Sequence, residues 1–198
     1  MESEKLSSWM TKSRMEAFSD GVIAIIITVM VLEFKVPKGT GITALIPLMP
    51  TLLSYTLSFV SIGIYWNNHH HLLQAAKNVN GRILWANLHL LFWLSLFPFV
   101  TSWLGESNFS KGPVALYGII LFFAAVAYTI LTISLVKHHG KESTIGKAIG
   151  SDFKGKLSLA LYLVAIGLSF VNSWIACSLY FLVAAIWLTP DKRIEGQK

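Results

Sequence analysis

Charge is scarce in this chain. Of its 198 residues only 13% are Asp, Glu, Lys or Arg, whereas 54% are hydrophobic, and a water-soluble domain of this length needs more charge to cover its surface. Cysteine occurs once, at Cys177 inside an apolar run. That excludes a disulfide framework and a cysteine-based metal centre, and it leaves Cys177 the role of a small buried apolar side chain. There is no GxSxG, no phosphate loop, no paired glutamate–histidine motif and no nucleophile–base motif, so no enzymatic activity and no cofactor are expected. "FSDG" and "NNHHH" have no counterpart in the second half, which disfavours a transporter built from inverted repeats within one chain. No cleavable signal peptide is expected, because "MESEKLSSWMTKSR" is polar and the apolar segment after it lacks a small-residue cleavage site.

What the chain does contain is a series of apolar runs suited to crossing ~30 Å of hydrocarbon. Hydropathy and flanking charges predict six spans: Ala17–Phe34, Ile42–Tyr65, Ile83–Leu104, Val114–Val136, Leu157–Val171 and Trp174–Leu188. The expected fold is an all-α integral membrane protein with one six-helix domain over residues 1–198. The last two segments are short and joined by a tight turn at Asn172–Ser173. They read as two spans that thin the bilayer, with a re-entrant hairpin as the other arrangement.

Lysine and arginine sort between the loops. Lys5, Lys12, Arg14, Lys77, Arg82, Lys137, Lys141, Lys147, Lys154, Lys156, Lys192, Arg193 and Lys198 fall on one side, against Lys35, Lys38 and Lys111 on the other. The positive-inside rule then places both termini in the cytoplasm of a multi-pass protein of the cell (plasma or inner) membrane. The net charge of +6 follows from topology, and no nucleic-acid partner is expected. Trp9, Trp66, Trp103 and Trp174 fall at or near span ends, where they suit interfacial anchoring.

The first span divides by angle. At ~100° per residue, Phe18, Val22, Ile25, Val29 and Leu32 form one bulky stripe. Ala17, Gly21, Ala24 and Thr28 form an adjoining stripe of small residues, which allows close helix contact in lipid. These stripes suit several copies packed around an axis, but periodicity alone favours packing against other spans of one subunit, which is common in helix bundles. Asp20 lies roughly 140° from Ile25 and should face protein. A carboxylate in a span is expensive and needs a partner; Arg14, the histidines after the second span, Asn87 and His89 are the candidates.

"RMEAFSD", Arg14-x-x-x-Phe18-Ser19-Asp20, resembles the RxxxFSD signature that opens the first helix of the transmembrane protein 175 family of potassium channels. "AIIITVMVLE" after the motif, "WNNHHH" at the end of the second span and "NLHLLFWLSLFPF" in the third agree with it. The likeness covers the first half well; the second half matches in span count and loop order. The length fits the prokaryotic type with one six-span unit.

The resemblance implies a homotetramer in which the first helix of each subunit lines a pathway for K+ and other monovalent cations, without a TVGYG filter. It implies a constriction at Ile25, with further apolar rings at Val29 and Leu32, and a threonine layer at Thr28. Val29 replaces the leucine usual in prokaryotic members, leaving Ile25 the dominant ring. It also implies a hydrogen-bond network of Arg14, Asp20, His69 or His70, and Asn87 that fixes the first helix to its scaffold. Glu33 ends the span as an anionic pore mouth or as a solvated helix end. A secondary cation transporter and a non-conducting membrane scaffold are the rival readings.

Two further signals carry less. His69–His71 on a helix point ~100° apart and cannot all converge, so a metal site is not expected. Pro47, Pro50 and Pro98 mark expected kinks, with Ser95 and Thr101 placed to satisfy carbonyls freed near Pro98. His138 and His139 are expected to be solvated in a loop.

Overall fold

The computed structural model describes residues 2–140, 142–143, 145–146 and 152–188, with side chains from residue 12 onward. The side chains of Lys5 and Trp9, together with Lys141, Lys147, Lys192, Arg193 and Lys198, bear on the sidedness and anchoring expected above and lie outside the described residues.

The described residues are helical throughout, joined by short connectors. Helix α1 runs Glu2–Leu32, and a 3-10 stretch over Ile42–Leu48 leads into α2, Met49–Gln74. Pro50 sits in the first turn of α2, where a missing N–H costs nothing, so it starts this helix instead of kinking it. Pro47 lies in the 3-10 stretch. The third predicted span is two helices, α3 (Gly81–Ser95) and α4 (Phe97–Glu106). Pro98 occupies the first turn of α4, and the chain breaks at Leu96 because Pro98 has no N–H for the carbonyl four residues back. Helices α5 (Lys111–His139), α6 (Phe153–Ser169) and α7 (Ser173–Leu188) complete the chain.

Among the described residues, four segments are long and apolar enough to cross a membrane: Lys12–Leu32, Ile42–Gln74, Gly81–Glu106 and Lys111–His139. The last two helices have 17 and 16 residues, roughly 24–26 Å at 1.5 Å per residue.

The core forms around α5, which packs against α3, α4, α6 and α7, while α2 packs on α4. Tyr117, Phe97 and Tyr180 are its largest fully buried side chains. Gly118 lets α5 approach α7: a Cβ there would lie 2.0 Å from the Tyr180 hydroxyl, which donates to the Val114 carbonyl (3.1 Å). Helix α1 lies at the edge of this body and packs mainly against α2, α3 and α4.

His138 and His139 do not lie in a loop, although His138 is exposed as expected. They form the last turn of α5 and clasp the connector between α2 and α3. His139 Nδ1 donates to the Leu135 carbonyl (2.9 Å), and its Nε2 accepts the backbone N–H groups of Lys77 (3.1 Å) and Asn78 (3.4 Å). His138 Nε2 lies 2.8 Å from Asn78 Oδ1 and its Nδ1 lies 3.1 Å from Asn80 Nδ2. Asn80 cannot reverse its amide without cost, because its Oδ1 caps α3 by accepting from the Ile83 N–H (3.1 Å). Each ring therefore uses one nitrogen as a donor and the other as an acceptor.

His139→Leu should leave the helices formed and free this connector, read as faster hydrogen exchange at the Lys77 and Asn78 amides.

Candidate functional site

The first span has one buried side. Met15, Ser19, Ile23, Ile26 and Met30 are buried, at 4-4-3-4 spacing, and they face α2, α3 and α4. The bulky stripe is turned about 100° away. Ile25 is 62% exposed and Leu32 80% exposed; Phe18 is exposed, and Val22 and Val29 are half-covered. The small-residue stripe of Ala17, Gly21, Ala24 and Thr28 is exposed as well. Of the two arrangements open to these stripes, packing within one subunit is not what Ile25, Leu32 or the small residues do. Thr28 Oγ1 lies 3.1 Å from the Ala24 carbonyl and 2.9 Å from that of Ile25. Its hydroxyl proton is therefore used on its own helix, and the oxygen lone pairs remain available.

A buried chain of hydrogen bonds sets this orientation, and polar chemistry fixes its direction. Ser19 Oγ donates to the Met15 carbonyl (2.8 Å), so it must accept from Asn87 Nδ2 (2.9 Å). Asn87 then turns its Oδ1 to His69 Nε2 (2.7 Å), which must carry the proton. Ser19, Asn87 and His69 are all at most 2% exposed. One chain of bonds thus ties α1 to α3 and α3 to α2.

The structure divides the motif residues differently from the expected network. Ser19, which sequence reasoning placed in the motif but gave no role, is the member that reaches the scaffold. Asp20 does not join; it is exposed and accepts from Trp66 Nε1 (3.0 Å), because its helix angle points it past α3 toward the surface of α2. His70 stacks near Trp66 (6.0 Å between ring centroids) and bonds Gln74 instead of Asn87. His89 accepts from Trp93. Arg14 is exposed beside a cleft lined by Phe18, Leu84 and Asn87, and no hydrogen bond or ion pair holds it among the described residues. The three consecutive histidines diverge, with His69 facing the core and His70 the surface.

A second polar cluster was not anticipated. Ser58 Oγ lies 2.7 Å from Thr101 Oγ1 and 3.1 Å from the Tyr117 hydroxyl, joining α2, α4 and α5. Thr101 reaches Met30 Sδ on α1 (3.8 Å) and is not spent on a carbonyl freed near Pro98; Ser95 does take one, that of Phe92 (2.7 Å). At this end Glu33 is exposed and accepts from Ser102 Oγ (3.2 Å). Lys35 pairs with Glu106, whose hydrogen bond and charge hold the ammonium above the usual lysine range.

The chain has clear relatives. A family model described as endosomal/lysosomal potassium channel TMEM175 matches residues 14–98, which open at the motif arginine and close at Pro98. A potassium channel of Chryseobacterium sp. (strain P1-3) is 57% identical over 186 residues, covering 94% of this chain and 97% of that one. The chicken (Gallus gallus) endosomal/lysosomal proton channel TMEM175 is 32% identical over 155 residues, 70% of this chain but 30% of that longer protein. The crystal structure of a lysosomal potassium-selective channel TMEM175 homolog from Chamaesiphon minutus superposes with a TM-score of 0.80 at 30% identity, covering 92% of this chain and 98% of that one.

Replacing Asn87 by Leu should cost about 1–2 kcal/mol, because it leaves the His69 N–H buried without an acceptor. Trp66→Phe should cost under about 1 kcal/mol, since the Asp20 bond it removes is exposed. Thermal unfolding of both variants in the same detergent gives the comparison, and an equal loss would contradict the ranking.

Proposed function

The chain belongs to the TMEM175 family, and from that premise we propose that it is a potassium-preferring cation channel, a homotetramer whose pore is lined by α1. Family membership makes it a multi-pass membrane ion channel and not an enzyme. The observation that carries the finer reading is the two-sidedness of α1. Its Ser19 face is locked to α2 and α3, while Ile25 and the small-residue stripe are left uncovered by their own subunit. A fourfold arrangement gives both stripes a use. The small edge lies on the neighbouring α1, and the bulky edge points to the axis.

Ion control then follows from the rings. Ile25, with Val29 and Leu32 beyond it, forms an apolar constriction that excludes water, because an ion stripped of its hydration finds no oxygen ligand there. Isoleucine cannot tell K+ from Na+. Thr28 supplies what it lacks, since its hydroxyl proton is committed to the backbone and its lone pairs are free to replace part of a hydration shell. Glu33 brings negative charge to the mouth, and Glu106 offsets the nearby Lys35, so the rim favours cations. The loop charges orient the protein with both termini in the cytoplasm of the cell (plasma or inner) membrane.

Recording of purified protein in planar bilayers, paired with flux assays, tests this directly: unitary ohmic current supports the channel, stoichiometric coupled uptake a transporter, and silence a scaffold. Ile25→Asn should raise the leak current severalfold, because a polar ring wets more easily. Thr28→Val should move the reversal potential under K+/Na+ exchange toward that of a non-selective pore. Equal permeability of the native protein to the two ions would refute the preference for potassium.

A further inference from the structure

By count, the charges near the far end of α1 do not favour a cation. The sorting of loop charges puts Lys35, Lys38 and Lys111 on that side, against the carboxylates of Glu33 and Glu106. An entry that attracts cations must therefore come from where these charges are held, since each acts over about a Debye length, roughly 10 Å at 0.1 M salt.

Three consecutive residues just past α1 are each held by a neighbouring helix. Glu33 accepts from Ser102 Oγ (3.2 Å). Phe34 is half-buried, and its ring stands edge-on to Tyr55 of α2, 5.3 Å between centroids at 81°. Lys35 pairs with Glu106 and not with Glu33. Ser102 and Glu106 are four residues apart on α4, so they lie one above the other on the same face. That face takes the acid and the base separately: the carboxylate goes to a neutral hydroxyl, and the ammonium goes to a second carboxylate. The hydrogen bond and charge of Glu106 do most to raise the Lys35 pKa, and the charge of Glu33 adds to them. Glu33 is thus the competing partner for this ammonium.

We propose, on the basis of the pore reading above, that Glu106 is a positioning residue for conduction: it keeps the Lys35 ammonium off Glu33 and so leaves the mouth carboxylate free to attract entering cations. Lysine carries its charge on a flexible four-carbon stem. Without Glu106 the ammonium turns to Glu33, and each subunit presents a neutralised pair where it had presented a carboxylate. Glu106 acts only through Lys35.

The readout is single-channel K+ current entering from the Glu33 side, recorded in about 0.1 M and about 1 M KCl, where the Debye length is roughly 10 Å and 3 Å. Glu106→Gln should lower this current at least about twofold at the lower salt and hardly at all at the higher. Current in the opposite direction should fall less, so the variant rectifies. Thermal unfolding should be unchanged, because an exposed ion pair contributes little to stability. In a Lys35→Gln background, Glu106→Gln should change nothing. Lys35→Gln alone should not lower the current, and a loss there overturns the proposal even should Glu106→Gln fail to fold. Glu33→Gln separates the two readings. Unchanged current in that variant, or a silent native protein, removes the mouth and this proposal with it. A fall in Glu33→Gln without one in Glu106→Gln overturns the positioning role alone. An equal fall from Glu106→Gln with and without Lys35, or one that persists in about 1 M KCl, also overturns it, since Glu106 would then act as a mouth charge itself or through the fold.

Discussion

The structure turns on a short relay of buried hydrogen bonds, from His69 through Asn87 and Ser19 to the Met15 carbonyl. Each link fixes the next. A carbonyl can only accept, so Ser19 donates to it; Ser19 therefore accepts from the Asn87 amide, and the amide oxygen is left for a protonated His69 nitrogen. In lipid no water competes for these groups, and an alternative rotation of α1 would leave the buried Asn87 amide N–H without its Ser19 acceptor. The relay therefore determines which face of α1 belongs to the scaffold.

Once Ser19 faces inward, geometry dictates the rest of the helix. At ~100° per residue, Ile23, Ile26 and Met30 follow Ser19 into the core, and Ile25 and Leu32 cannot. The small residues fall on the side farthest from the scaffold, the place a second copy of the helix would occupy. Asp20 lands on the far flank and meets only the Trp66 indole. The cost of its charge is met there by exposure and one N–H, whereas a partner within the core would have required a different helix rotation. At the other end of α1, the Ser58–Thr101–Tyr117 cluster and the Met30 contact hold the helix a second time. Two polar clamps separated along its length make α1 a fixed element against the remaining helices. Thr132 Oγ1 is the buried side-chain atom left without a hydrogen-bond partner among the described residues, and it lies on α5, away from both clamps.

The broken third span serves the same arrangement. Asn87 lies on α3 and Thr101 on α4, and the break at Leu96 allows each half to present its polar residue to α1 in its own direction. A straight helix through Pro98 would carry an unfilled carbonyl and a ring clash in lipid. At the end of α5, the two histidines bind the connector that joins α2 to α3, so the helices supplying His69 and Asn87 are themselves held in register by α5.

The sequence alone determined the membrane class, because scarce charge and long apolar runs leave no soluble alternative. It also determined where the apolar segments run, though not the break at Leu96, because hydropathy acts locally, and the RxxxFSD motif marked the family that the relatives bear out. The stripes of α1 were likewise readable, since 3.6-residue periodicity is a property of one segment. Which stripe meets the scaffold was not readable. Periodicity ranks faces relative to one another and carries no absolute direction, and that choice needed Ser19, Asn87 and His69, from three separate helices, to meet. The same limit explains Asp20, Thr101 and the α5 histidines, whose partners on other elements lie 43 to 71 residues away in the chain. A polar side chain in a sequence declares that it needs a partner, and only tertiary packing decides which one it finds.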